Sequence, residues 1–221
     1  DARGTTTGDT VTLGTYATPQ AFITGNIMTI RTAQLRITTL SSPASTTYAG
    51  GVTDIECENV QLDATGSSED IRVTQFQVKL NPWNGAKSLD IQNVRLFVDK
   101  DGDSGNGSGT QVALSNAQSG SDADANDDET LTFNLSGADQ FIVKAGKRLT
   151  VTVKCNITGG ACTGTHSIYT NAASLVTAVG VTSGNSITPV ADTAAGQGVT
   201  DGTAVGTVQV SQDPSNVVAK N

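Results

Sequence analysis

The sequence predicts an all-β fold, a sandwich or barrel of many short strands, on three observations. The chain is rich in β-branched Thr and Val, which suit the pleated, half-buried surface of a strand. Its 24 glycines, with Asn, Asp and Ser, supply turn chemistry between the apolar runs. Those runs recur at roughly 8–12-residue spacing, the rhythm of a sandwich or barrel, and no window carries helical periodicity.

Residues 1–26 hold only short apolar pieces, Val11-Thr12-Leu13 and Ala21-Phe22-Ile23, between Gly and Thr, and read as an extended N-terminal segment. The domain proper is predicted over 27–186. Ile30, Leu35, Ile37 and Leu40 lie in a Thr-rich run that ends at Ser41-Ser42-Pro43. A second run from Val52 to Ala64 carries Ile55, Cys57, Val60 and Leu62. In 70–80, Ile71 and Val73 share one parity while Phe76, Val78 and Leu80 share the other. One extra residue near Thr74-Gln75 reconciles them, as a β-bulge does.

The Pro82-Trp83-Asn84-Gly85 turn leads to a strand from Leu89 to Val98, followed by an acidic insert at 99–129. Strands are then predicted at Leu131–Leu135 and Phe141–Val143. A Lys144-Ala145-Gly146-Lys147 turn precedes a run in which Leu149, Val151, Val153 and Cys155 alternate inward. Ile168-Tyr169, Leu175-Val176 and Val179–Val181 follow, and 187–221 is a sparse C-terminal extended segment.

Charge and composition narrow the function. Thirteen Lys+Arg against 21 Asp+Glu give a net charge of −8, so the basic footprint that nucleic acid requires is missing. No apolar run reaches the ~20 residues that span a bilayer. The chain starts at Asp1 rather than Met, the expectation being a secreted product whose export signal has been removed.

Ser67–Phe76, Leu89–Asp99 and Phe141–Val151 together resemble immunoglobulin-like sandwich modules of bacterial and archaeal surface and extracellular filament proteins. The resembling features are a polar pair that opens a strand, Asn93-Val94-Arg95-Leu96 before a loop, and the Ala145-Gly146 turn feeding the alternating strand. The resemblance covers about residues 30–180 and implies a Greek-key, immunoglobulin-like β-sandwich that scaffolds or adheres and catalyses nothing. The insert at 99–129 and the two terminal segments depart from the pattern.

Asp99, Asp101, Asp103 and Asn106 fall at alternate or near-alternate positions of a Gly-rich loop, and Asp122, Asp124, Asp127 and Asp128 form a second acidic run. Ca²⁺ takes six to eight hard oxygens, and alternate carboxylates in a turn converge on one point. The expectation is calcium, held at one site if both runs bracket a single excursion; a solvated acidic loop is the plain alternative. The first run starts like an EF-hand loop, but Ser104 replaces the Gly of position 6 and no Glu follows at position 12.

Cys155 and Cys162 flank a Gly159-Gly160 turn and are the favoured disulfide, which fits an oxidising compartment. The rival joins Cys57 to one of them across the fold. Asn156-Ile157-Thr158 makes Asn156 a glycosylation candidate. His166, the only histidine, is expected at the surface or in a strand, and Trp83 to cover an end of the core.

The expected function is a structural subunit of an extracellular filament or surface layer, a calcium-stabilised homopolymer assembled by strand addition. Val11, Leu13, Phe22 and Ile23 are the strand-donor candidates. The alternative is a monomeric calcium-binding adhesin or S-layer module.

Overall fold

The computed structural model describes residues 2–3, 10–11, 32–99, 111–113, 117–158, 164–192 and 197–202. Residues 1–30 separate from 31–221 as a unit of their own. In the first unit, β1 (Ala2–Arg3) pairs antiparallel with β2 (Thr10–Val11), Val11 lying opposite Ala2. Val11 is therefore held in a ladder, while Leu13, Phe22 and Ile23 lie outside the described residues.

The second unit is all-β, with two sheets. Its strands, in chain order, are β3 (Arg36–Thr39), β4 (Thr46–Ala49), β5 (Ile55–Asp63), β6 (Ile71–Trp83), β7 (Ile91–Asp99) and β8 (Gln111–Ala113). They continue with β9 (Glu129–Asn134), β10 (Phe141–Val143), β11 (Arg148–Ile157), β12 (Gly164–Tyr169) and β13 (Val176–Gly180). The last three are β14 (Ser186–Ile187), β15 (Val190–Ala191) and β16 (Gln197–Gly202). Among the described residues, the only helical pieces are three single 3₁₀ turns.

The longest strand, β6, is the axis of sheet one. Its register with β13 matches Thr177 to Gln75 but Ala178 to Val73, so Thr74 is an extra residue. Thr74 and Gln75 are both half-buried, while Ile71, Val73, Phe76, Val78 and Leu80 are fully buried. The bulge read from the parity switch is thus present. Because a strand residue has only two flanks, the overlapping registers place β9 and β10 along one side of β6 and β12 and β13 along the other. Beyond β13 lies β14; beyond β12 come β16 and then β4, in a parallel pair.

Sheet two runs β15-β3-β5-β11-β7-β8. It is antiparallel apart from β15, which lies parallel to β3. The alternating residues of β11 face inward, as their pattern predicts. The two sheets bury one continuous apolar cluster, with Phe76, Phe133 and Ile168 from sheet one and Ile37, Leu62, Val151 and Val153 from sheet two.

A second bulge sits in β5. Glu58 pairs with Val153 and Glu56 with Lys154, leaving Cys57 as the extra residue. The residues before and after it follow opposite parities, so Cys57 and Glu58 both turn inward and are fully buried. This placement corrects the favoured disulfide. Cys155 is bonded to Cys57, not Cys162, with Cα atoms 6.1 Å apart. Bulge and register bring the two sulfurs together on the core side of adjacent strands. Cys162 lies outside the described residues.

Candidate functional site

The acidic insert folds as an extension of sheet two followed by a corner. β8 pairs antiparallel with the end of β7. Gln118 then exchanges both backbone hydrogen bonds with Val94, Gly120 N–H donates to Ile91 O, and Leu89 N–H donates to Asp122 O at 3.1 Å. Residues 111–113 and 118–122 thus lie along β7, and 122–129 cross to sheet one, where β9 begins. Asp99 and Asp122 therefore mark opposite ends of β7, roughly 25–30 Å apart for a strand of this length. A single site spanning both acidic runs is excluded for Asp99. Asp101, Asp103 and Asn106 lie outside the described residues.

The corner is tied down from both sides. Asn126, in the left-handed region at φ 64°, donates its N–H to Ala86 O and accepts the Gly85 N–H on Oδ1 at 3.0 Å. Lys87 and Ala125 form an antiparallel bridge. Glu129 accepts the Ser88 hydroxyl at 2.6 Å, the Ser121 N–H and hydroxyl at 2.8 Å each, and the Asp122 N–H at 3.3 Å. Burial works to raise its pKa, but these hydrogen bonds outweigh it and hold the carboxyl below its usual range. Asp128 is committed to Lys79, at 2.7 Å.

Asp122, Asp124 and Asp127 remain. Each can bring one carboxylate oxygen within 4.8 Å of the others, and among the described residues none of them is ion-paired. Asp122 is half-buried, Asp124 and Asp127 are exposed, and Asp122 Oδ1 accepts the Asp124 N–H at 2.8 Å. Three like charges so close repel by about 1 kcal/mol per pair even in water. A divalent cation relieves that repulsion, and three carboxylates offer three to six of the oxygens Ca²⁺ takes, with water completing the shell. Four of the eight acidic-run candidates are thus brought to one loop, three converging and Asp128 diverted.

The tether predicts a test. A Cβ on buried Gly120 would collide with the Ser88 carbonyl. Gly120→Ala is expected to cost about 1–3 kcal/mol by overpacking and to loosen the loop that holds the carboxylates. Urea unfolding reads the first effect; proteolysis in the 117–128 segment reads the second.

A buried acid, Glu58, escaped sequence reading. It lies on the β5 bulge, and its carboxyl accepts the Thr170 N–H at 2.6 Å and lies 3.4 Å from the Thr170 hydroxyl. That hydroxyl donates to Gln77 O at 2.8 Å. Thr170 follows β12, so Glu58 clasps sheet two to the break between β12 and β13 in sheet one. Burial raises its pKa from 4.5 to about 8 despite the opposing Thr170 and Thr39 contacts. The signal was in the sequence: Ile55 and Cys57 follow one parity and Val60 and Leu62 the other, which turns residue 58 inward.

Asn156 lies half-buried in β11, its Oδ1 accepting the Asp54 N–H at 2.8 Å, not in the surface loop that suits an N-glycan. His166 is a strand residue, fully buried, its Nε2 3.9 Å from Asp90 Oδ2. Trp83 is 53% exposed at the end of β6 and does not cover the core as expected. No described helix is long and apolar enough to cross a membrane.

These features define an all-β, two-sheet, disulfide-bonded sandwich-like domain with an acidic corner. The chain matches no protein-family model and no curated protein.

Proposed function

We propose that the chain is a structural subunit of an extracellular filament or surface layer, whose copies join by strand addition and whose acidic corner binds calcium. The observation that carries this reading is the separation of residues 1–30, with their strand-like composition, from the unit that holds the core. That composition suits the segment to add to the sheet of another copy, where main-chain hydrogen bonds provide affinity. The disulfide supports an oxidising, extracellular compartment.

The architecture we assign is immunoglobulin-like. The order β3-β5-β11-β7 in one sheet and β6-β12-β16 in the other supports it, because it follows the A-B-E-D and C-F-G order of constant-type domains. Two features depart from that type. The disulfide joins neighbouring strands of one sheet rather than two sheets, and β9 and β10 extend the far flank of β6. The converging Asp122, Asp124 and Asp127 serve equally the second reading, a monomeric calcium-binding adhesin or S-layer module.

Electron microscopy of the protein in calcium and in EDTA separates the two. Regular filaments or sheets are the expected result, and their loss in EDTA would tie calcium to the contacts. Dispersed particles in both buffers would reject assembly. Calcium at about a hundred times its Kd should also raise the unfolding temperature by roughly 5–10 °C. An unchanged temperature would reject the calcium site.

A further inference from the structure

The described strands are covered at every long edge but one. The outer flank of β3 is taken by β15, that of β7 by β8 and residues 118–120, that of β13 by β14, and that of β12 by β16 and β4. The strands left outermost there have two to four residues, short enough to be poor templates. β9 has six, and among the described residues nothing pairs with its outer side.

Its backbone directions follow from one hydrogen bond. Leu135 N–H donates to Thr74 O at 2.9 Å, and the register Gln75↔Asn134 continues to Thr74↔Leu135. Antiparallel partners alternate between bonded and non-bonded pairs, so Phe133, Leu131 and Glu129 turn their polar groups towards β6. Thr130, Thr132 and Asn134 therefore present N–H and C=O groups outward. The usual protections of an edge are missing. β9 contains no Lys, Pro or bulge, and its register with β6 is unbroken. Its one charge, Glu129, is occupied by Ser88 and Ser121. The Thr132 hydroxyl and Asn134 Oδ1 are taken by the Gln77 and Gln75 amides.

We infer that the outer edge of β9 is the acceptor for a strand donated by a second copy, the donor lying within residues 12–30. This rests on the strand-addition reading and names the edge it uses. The run 12–30 carries no charged side chain, so it meets no repulsion beside Asp128 and Glu129. Nineteen residues extended span about 60 Å, enough to leave one sandwich and lie along another.

The test uses the full-length chain. Thr132→Pro removes an outward N–H, at a position where an edge strand tolerates proline, and within the subunit only the Gln77 amide's bond to the Thr132 hydroxyl, which Thr132→Val removes as well. Thr132→Val keeps the N–H and serves as control. Thr132→Pro is expected to lower the assembled fraction in sedimentation at least tenfold, while Thr132→Val assembles as wild type. A photo-crosslinker at position Thr130, in mixed heavy- and light-isotope chains, should capture residues 12–30 of another copy, and it needs no proline if that variant fails to fold. Normal assembly by folded Thr132→Pro, or crosslinks confined to other segments or to the same chain, would overturn the edge and leave strand addition standing. If wild type does not assemble at all, strand addition fails. The edge is then decided by titrating a synthetic 12–30 peptide: binding at least tenfold weaker to Thr132→Pro supports it, and equal or no binding overturns it.

Discussion

Glu58→Gln is expected to stabilise the protein by about 3 kcal/mol at pH 7 and by roughly 4–5 kcal/mol at pH 8 and above. The size follows from the pKa, raised from 4.5 to about 8 by full burial, at about 1.4 kcal/mol per pH unit. The folded state holds this proton more tightly than the unfolded chain. Its stabilising effect is complete below about pH 4.5, declines as pH rises towards 8, and is gone above that. Glutamine keeps an oxygen for the Thr170 N–H and carries no charge. A neutral Glu58 can donate to the buried Thr39 Oγ1, which otherwise lacks a well-formed bond, and the Gln amide can do the same.

The variant and wild type should therefore unfold together near pH 4. They should separate by about 10 °C or more near pH 8, at the roughly 2–4 °C per kcal/mol of a domain this size. Other carboxylates act in the opposite sense. Asp70, held low chiefly by the Ala145 N–H and Lys144, contributes stability that is lost as pH falls. Such groups are common to both proteins and cancel in the difference. Thermal scans from pH 4 to 9 read it, and a difference that does not change with pH would refute the clasp.

Loss of the Cys57–Cys155 bond is the second large effect. The two residues are 98 apart, and the loop between them holds β6 to β10 and most of β5 and β11. Closing a loop of that length restricts the unfolded chain by an amount worth about 3–5 kcal/mol. The double variant Cys57→Ala/Cys155→Ala should unfold at correspondingly lower denaturant, and reductant should do the same to wild type. Cys162→Ser should leave stability unchanged. Non-reducing peptide mapping gives the sharper check, since a peptide linking Cys155 to Cys162 would overturn the pairing.

Much of the scaffold was legible because it is encoded locally. Alternation placed Leu149, Val151, Val153 and Cys155 inward, and the parity switch at Thr74-Gln75 located a bulge, because side-chain period is a property of one strand. The acidic corner was legible as composition, since Asp122, Asp124 and Asp127 lie within six residues of one another.

The failures share a cause. The local hairpin reading put Cys155 with Cys162, yet pairing depends on which strand lies beside β11, and that strand is β5, far away in sequence. The two acidic runs looked like one excursion, but hydrogen bonding of 111–113 and 118–122 along β7 sends Asp99 and Asp122 to opposite ends of a strand. Trp83 looked like a core cover and is more than half exposed.

The sequence by itself determined that this protein is all-β, where its main strands run, and that one loop concentrates carboxylates. These follow from period-two alternation, β-branched composition and turn residues, all set within a few neighbours. Only the tertiary structure decided which cysteines bond, that Glu58 is a buried clasp, which carboxylates converge and which edge stays open. Each depends on strand order and register between segments tens of residues apart, set by the packing of two sheets around a shared core.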